Sequence, residues 1–383
     1  MLSQMHRGLI ALAAALVLFA GQAAGHDPDT FGGIFRTHDA GATWTSVNPG
    51  IFPSGALALA VNPRDPNHLL LATDSGLWRS RNGGRDWDVE APETLTGPAF
   101  AAAFAADGER ALVAGTSTLF RDDGNRWRPV RAPAGASPAR ALVAGAVPGC
   151  VYLAGRAGLY RSDDWGESWT NVGPALEADR VDALLALSGS PDRLYAVVAG
   201  SVWSSNDGAG SWQRRSSGNP GNAIEAIGFD PAAPAPLWAV AAGQVYRSDQ
   251  PGGEWRAVGK PVHETSALAR AMAISGAVIV IATDRGVFRS ADGGERWEPP
   301  KESLPAHVAA RLLVGDSRNP AMLYAGFAST GYEELQQQVR RGETASWRSG
   351  LGSVGGFGWV VLIALGVIAA VARHLVKLRA KLR

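Results

Sequence analysis

Seven of the 13 tryptophans stand at a near-constant spacing. Trp44, Trp87, Trp127, Trp169, Trp212, Trp255 and Trp297 follow one another at intervals of 43, 40, 42, 43, 43 and 42 residues. Each closes a segment that reads strand, polar turn, tryptophan, as in GIFRTHDAGATW (33–44), GLYRSDDWGESW (158–169) and GVFRSADGGERW (286–297). A period that steady means one supersecondary unit copied along the chain, each copy stable only when stacked on its neighbours. Seen alone, Asp163 and Asp164 look like a carboxylate pair for acid–base chemistry. The period argues against it, because a reaction needs its acid once and a turn is needed in every unit.

Upstream of each closing segment lie two apolar runs separated by a polar turn: ALALAV (56–61) and LLLAT (69–73), or ALLAL (183–187) and LYAVV (194–198). With the closing hairpin this makes four short strands in about 42 residues, rich in β-branched and aromatic types and bounded by turn residues. YEELQQQVRR (332–341) is the one stretch with a helical period. Four-stranded sheets repeated at this spacing predict an all-β fold, a seven-bladed β-propeller of antiparallel blades, over 26–330. Six complete units run from about Ala56 to Lys301. The hairpin 33–47 has no inner strand pair before it, and the pair in 308–328 has no hairpin after it. The economical ring closes by joining the two, which leaves 331–350 as a stalk.

The two ends read differently. Residues 1–25 carry one basic residue, Arg7, then the apolar run Gly8–Ala20 and the small residues GQAAG, the order of a secretory signal peptide. An uncleaved anchor would leave the body on the same side. Residues 351–372 belong to a 24-residue stretch without charge, Ser349–Ala372. It is long enough for one transmembrane helix, and the basic tail 373–383 marks the cytoplasmic side. The expectation is a body in the periplasm or outside the cell, tethered by a single span. Removing Arg7 and the five tail cations leaves 30 Lys and Arg against 35 Asp and Glu, about −5. That balance argues against a nucleic-acid partner. The single cysteine, Cys150, excludes a disulfide framework and a thiolate metal site.

The closing segments resemble the Asp-box, or BNR repeat, Ser/Thr-x-Asp-x-Gly-x-x-Trp. The match is full at Thr37/Asp39/Gly41/Trp44, Ser162/Asp164/Gly166/Trp169 and Ser290/Asp292/Gly294/Trp297, and has Asn for Asp at Ser80/Asn82/Gly84/Trp87. Ser205/Asp207/Trp212 has Ala209 in place of the glycine, Gln250 replaces the Asp before Trp255, and the Trp127 copy lacks the Ser. Asp and Ser oxygens accept turn N–H groups, glycine takes a positive φ, and tryptophan anchors the hairpin. In the families that carry the box it lies at the periphery of the propeller, away from the ligand face. Over 31–328 the chain is similar to Asp-box propellers such as sialidases, xyloglucan-cleaving glycosidases, sortilin-type receptors and the membrane-associated photosystem II assembly-factor family.

The resemblance allows enzymes, and the residues do not supply their parts. Sialidase-like chemistry implies a tyrosine nucleophile, yet Tyr152, Tyr160, Tyr195, Tyr246 and Tyr324 fall at repeated strand positions and Tyr332 in the stalk. Glycosidases in general use two carboxylates across the sugar. Glu90, Glu93, Glu177, Asp179, Glu225 and Glu264 are loop acids with no pairing in their spacing. No catalytic residue, metal ligand set, nucleotide loop or cofactor is therefore assigned. An Arg follows the strand aromatic at Arg36, Arg79, Arg161, Arg247 and Arg289, with Arg121 in the weak copy. It reads either as a clasp pairing with an acid of the next blade or as a basic ring for an acidic partner. Docking candidates in loops of the wide face are Arg131, Arg140, Arg180, Arg214, Arg215, Lys260 and Lys301.

These readings point to an exported, membrane-tethered, non-catalytic platform for an envelope or membrane protein. The alternatives are a glycan-binding or glycoside-cleaving propeller and a sortilin-type receptor. A glycan site implies an Arg, acid and aromatic cluster in the central depression; a protein platform implies a broad patch on the rim.

Overall fold

The computed structural model describes residues 32–47 and 55–327, apart from 125, 177–180, 188–190, 216–222, 251–252, 264–266, 299–300 and 306–307. The signal peptide, stalk, membrane helix and basic tail expected from the sequence lie outside the described residues. Among the described residues no helix is long and apolar enough to cross a membrane.

Seven antiparallel sheets form the blades of a propeller. Blades 1 to 6 lie within 56–89, 101–130, 141–171, 183–214, 224–258 and 269–290. Blade 7 is assembled from both ends of the described chain, in the order Thr45–Ser46, Gly33–Thr37, Asn319–Phe327, Ala310–Asp316. The seam between the ends is a five-pair ladder running from Gly33 opposite Phe327 to Thr37 opposite Leu323. The first strand of each blade contacts the first strands of both neighbours, so the innermost strands make an unbroken ring.

Burial explains the strand sequences. The second strand of a blade is covered on both faces, and LLLAT (69–73) and VYLAG (151–155) are buried at every position. Such a strand has no solvent side and reads as a continuous apolar run. The fourth strand lies at the rim and is short and exposed, as in Asp88–Val89 and Thr170–Asn171. In blade 6 the expected fourth strand shrinks to one bridge, Arg289 with Glu298, and the sheet has three strands. Pro299 and Pro300 follow in the sequence, and neither has an N–H to extend a ladder.

Apolar residues gather into seven clusters, each drawn from two neighbouring blades. The core is thus a set of seams between blades rather than one interior. The seam between blades 1 and 2 also holds a charged network. Arg79 donates to both Glu90 oxygens at 2.8 and 2.9 Å, to Asp122 Oδ2 at 2.7 Å, and meets His68 Nε2 at 2.7 Å. Trp127 Nε1 donates to Glu90 Oε1 at 2.6 Å.

Burial first, and the Arg79 charge second, hold the His68 imidazole at about 4 against an ordinary 6.5, with Arg81, Asp65 and Glu90 as its other charged neighbours. Asn62 Nδ2 lies 3.2 Å from the second ring nitrogen, so both sides of the ring face donor groups. The unfolded chain takes up this proton near pH 6.5 and the folded chain refuses it down to about pH 4. Stability present above pH 6.5 is therefore lost as the pH falls through that window. Thermal unfolding between pH 7 and pH 4.5 should show a fall that His68→Gln reduces. An unchanged slope in the variant would remove His68 from the explanation.

Candidate functional site

The recurrent acids face their own turns. Asp39 Oδ1 accepts from Thr37 Oγ1 at 2.6 Å and Thr43 N at 2.8 Å, and Oδ2 accepts from Thr43 Oγ1 at 2.6 Å. The same bonds recur at Asp164, from Ser162 Oγ, Ser168 N and Ser168 Oγ, and at Asp207, from Ser205 Oγ, Ser211 N and Ser211 Oγ. Asp292 accepts from Ser290 Oγ and Arg296 N, and Asn82 takes the carboxylate's place with Ser80 Oγ and Asp86 N. Slight burial raises Asp39 and Asp164, but these donors outweigh it and bring both to about 2. At Asp207 the Ser211 hydroxyl contributes most to the same result. A carboxylate so held stays ionised and has no proton to give near neutral pH. Asp163 is turned to its own blade's Arg161 at 2.7 Å.

The tryptophans tie hairpins across the seams. Trp87, Trp212 and Trp297 each donate Nε1 to a carbonyl of the preceding blade: Val47, Val172 and Lys260, at 2.7, 3.0 and 3.2 Å. The arginine after the strand aromatic reaches the other way. Arg36 donates to Gly83 O, Arg161 to Gly208 O and Arg289 to Ala40 O, at 2.7, 2.8 and 2.9 Å. These acceptors are backbone carbonyls of the next box turn, where an acid was expected. Arg79 and Arg121 do meet next-blade acids, Asp122 and Glu167. Arg247 instead pairs with Asp249 two residues away, and its guanidinium lies 5.4 Å from the Trp238 ring centre.

Two successive residues of these turns have positive φ. They are Ala40 and Gly41, Gly83 and Gly84, Trp165 and Gly166, Gly208 and Ala209, and Gly293 and Gly294. At Gly166 a Cβ would stand 3.2 Å from Leu112 Cδ1 of the preceding blade. Gly166→Ala should therefore cost about 1–2 kcal/mol, from left-handed strain together with this approach. Ala209, at φ 72°, is the reverse case, and Ala209→Gly should recover part of that amount, reduced by the greater freedom of glycine in the unfolded chain. Paired denaturant titrations of the two variants check the signs. Both changing stability in the same direction would contradict the strain argument.

Box turns join third to fourth strands, at the face where the first strands end. The opposite face holds a cavity of about 390 Å³ at the mouth of the central channel, among the beginnings of the first strands. No box acid lines it. Its charged lining is Arg140, Asp182, Glu225, Arg270 and Arg311, from blades 3, 4, 5, 6 and 7 in that order. Four of the seven first strands slip register at their second residue, between Ala56 and Ala58, Ile224 and Ala226, Ala269 and Ala271, and Ala310 and Leu312. The residues at those slips are Leu57, Glu225, Arg270 and Arg311, and all four line the mouth. A bulge re-aims one side chain without breaking the strand, and this one recurs at the rim.

Glu225 joins two blades. Its Oε2 accepts from Ala269 N at 2.7 Å and its Oε1 from Ala242 N at 3.1 Å. Its carboxylate thus holds the backbone beside Arg270. Asp284 Oδ1, in the turn between the second and third strands of blade 6, accepts from Leu268 N at 2.9 Å, next to Ala269.

Of the described docking residues read from the sequence, Arg140 alone lines this mouth. Arg214 and Arg215 donate to Ser201 and Ser204 of their own blade, Lys301 pairs with Glu298, and Arg131 and Lys260 are exposed. Arg180, with Glu177, Asp179 and Glu264, lies outside the described residues. Glu90 is held in the seam by Arg79 and Trp127. Arg270 and Arg311 were missed in the sequence, although each is a charge set inside an apolar run, ALARAMAIS and AARLLVG. The mouth has the Arg and acid groups expected of a glycan site but no aromatic side chain in its described lining.

No protein-family model and no curated protein matches the chain. Solved structures do share the fold. YCF48 from Cyanidioschyzon merolae is similar at 15% identity over 75% of this chain and 99% of that one, with a TM-score of 0.58. YCF48 bound to D1 peptide matches at 16% identity over 73% and 93%, with a TM-score of 0.56. The GH74 xyloglucanase from Xanthomonas campestris matches at 22% identity, over 70% of this chain but 50% of that enzyme, with a TM-score of 0.56. These likenesses establish the propeller fold, and at this identity they speak for the fold alone.

Proposed function

We propose that the chain is a non-catalytic protein-binding platform, exported and held at a membrane, whose channel-mouth face docks a segment of another envelope or membrane protein. The observation that carries this reading is the division of labour between the two faces. The recurrent acids are bound within their turns on one face, while the opposite face gathers three guanidinium groups around a recess. Arginine is favoured at such docking surfaces because its planar fork makes several directed bonds at once. Glu225, an acid of the mouth, holds two backbone N–H groups, which suits a scaffold better than a proton donor. The YCF48 structure with a bound peptide supports a propeller of this shape taking up a polypeptide segment.

Export and tethering rest on the sequence: the leader 1–25, the uncharged stretch within 349–372 and the basic residues after it. The xyloglucanase likeness favours a second reading, glycan binding or cleavage at the same mouth. Affinity capture with the detergent-solubilised full chain tests the first. Recovery of one stoichiometric membrane protein is the expected result. Turnover of a glucan or sialoside panel by the purified protein would replace the platform with the enzyme. Protease treatment of sealed membranes tests the topology, and a body protected from outside but digested from the cytoplasmic side would reverse it.

A further inference from the structure

We infer that the seam where the ring closes, between blades 7 and 1, binds a small monovalent anion of the halide kind at Arg36 and Tyr324. This goes beyond the platform reading and does not depend on it.

The repeat supplies its own control. Arg36 lies opposite Tyr324 in the strand ladder, as Arg161 lies opposite Tyr152. Each arginine donates to a carbonyl of the next blade's box turn, Gly83 O or Gly208 O. Each of those glycines donates its own N–H to the turn between the first and second strands of its blade, to Asn67 O or Asp192 O, at 2.8 and 3.0 Å. The two seams therefore correspond residue by residue.

Between blades 3 and 4, carboxylates complete the cluster. Asp163 Oδ1 accepts from Arg161 Nε at 2.9 Å and Nη2 at 2.7 Å, and Asp192 Oδ2 accepts from the Tyr152 hydroxyl at 3.0 Å. Asp207 holds the box turn that Arg161 reaches. At the closing seam the corresponding residues are His38, Asn67 and Asn82. The carboxylates are all replaced, while the arginine and the tyrosine remain.

Their donors are left without an acceptor. Tyr324 is fully buried, and neither its Oη nor the buried Nε of Arg36 has a hydrogen-bond partner. Arg79, Arg121, Arg161, Arg247 and Arg289 each form an ion pair with an Asp or Glu. Arg36, of the same set, forms none among the described residues. Burial pushes the Tyr324 hydroxyl above its ordinary pKa, and the Arg36 guanidinium is near enough to oppose that push. Asp316 is the acid whose charge reaches Tyr324, and its Oδ1 accepts from Arg318 N at 2.9 Å. The donors also converge. A Cβ at Gly83 would stand 2.5 Å from Arg36 Nη1, 3.2 Å from Asn67 Oδ1 and 3.7 Å from Tyr324 Oη. The Asn67 amide carries N–H groups that can turn toward an acceptor.

Charge decides the class of ligand. Buried donors without an acceptor are costly, and a half-buried guanidinium without a counter-charge adds to that cost. A water molecule would accept from both donors and leave the charge unanswered. An anion accepts the same bonds and supplies the charge that Asp163 and Asp192 supply in the other seam. The full burial of Tyr324 favours an ion of one or a few atoms over a partner's side chain, which would have to bring its backbone to the seam. An ion held there ties blade 7 to the turns of blade 1, so its binding favours the closed ring by mass action.

Thermal unfolding of the full chain in detergent tests this, in potassium chloride against potassium gluconate at equal ionic strength, gluconate being too bulky to enter. Chloride should raise the wild-type midpoint by about 2 °C, saturating as its concentration rises. His38→Asp restores the carboxylate found at Asp163. It should unfold at a higher temperature than wild type in gluconate and lose most of the chloride response. Asn67→Asp, which copies Asp192, should do the same, and Arg36→Gln should lose the response without the gain. Equal midpoints for wild type in the two salts would overturn the inference, a bound water then being sufficient. A chloride shift undiminished in both carboxylate variants would overturn it too, as a general salt effect. Neither outcome bears on capture of a membrane protein, which tests the platform separately.

Discussion

Arg79→Met should cost about 3–5 kcal/mol, a large loss for one substitution in a seam of this ring. The side chain is 8% exposed and makes bonds to Glu90, Asp122 and His68. Methionine fills much of the same space, so the loss is electrostatic more than steric. It leaves two carboxylates, 19% and 12% exposed, facing a seam without their counter-charge. Burial drives Glu90 upward, and the bonds from Arg79 and Trp127 overcome it and hold it below its ordinary value. Without Arg79 the burial effect prevails and Glu90 should titrate higher, so the variant should lose less stability at pH 5 than at pH 7. The triple variant Arg79→Met/Glu90→Gln/Asp122→Asn should recover most of the loss, since a pair removed whole leaves no orphan charge. Urea titration measures all three. An Arg79→Met variant within 1 kcal/mol (~, the spread of ordinary surface changes) of wild type would sink the argument.

That network also marks where the sequence was legible and where it was not. The box turns could be read because the same hydroxyl, acid and glycine recur at one period, and local hydrogen bonds within five residues need no knowledge of the neighbour. Arg36, Arg161 and Arg289 recur just as regularly, but their acceptors are carbonyls of another blade. A carbonyl carries no residue type, so an acid was expected in its place. His68 carries no such signal in the sequence, because its burial comes from packing against Phe104 of the next blade. Arg270 and Arg311 were hidden for a third reason. Strand alternation assigns faces by counting in twos, and a bulge adds one residue and turns the count over.

The two incomplete units at the ends of the repeat carry the second large effect. They are halves of one blade, so the ring is held shut by noncovalent pairing between residues nearly the whole propeller apart in sequence. Phe35 is at the centre of that pairing, opposite Ala325, fully buried, with its ring edge-to-face on Phe327 at 5.4 Å. Phe35→Ala should cost about 3–5 kcal/mol from lost burial and the cavity left between blades 6 and 7. Its location should also change how the molecule opens. A core truncation inside blade 3 or 4 leaves a unit whose strands are joined by short turns, whereas blade 7 has no covalent link between its second and third strands. Hydrogen exchange in Phe35→Ala should therefore show protection lost first in Gly33–Thr37 and Asn319–Phe327, then at the seam with blade 1 around Leu59 and Leu69, while Val151–Gly155 and Arg193–Val198 stay protected. Tyr152→Phe in blade 3 is the control, because it removes a hydroxyl bonded to Asp192 at 3.0 Å and leaves the closing seam untouched. Uniform loss of protection around all seven blades in Phe35→Ala would mean that the ring opens everywhere at once and that the closing seam is no weaker than the rest.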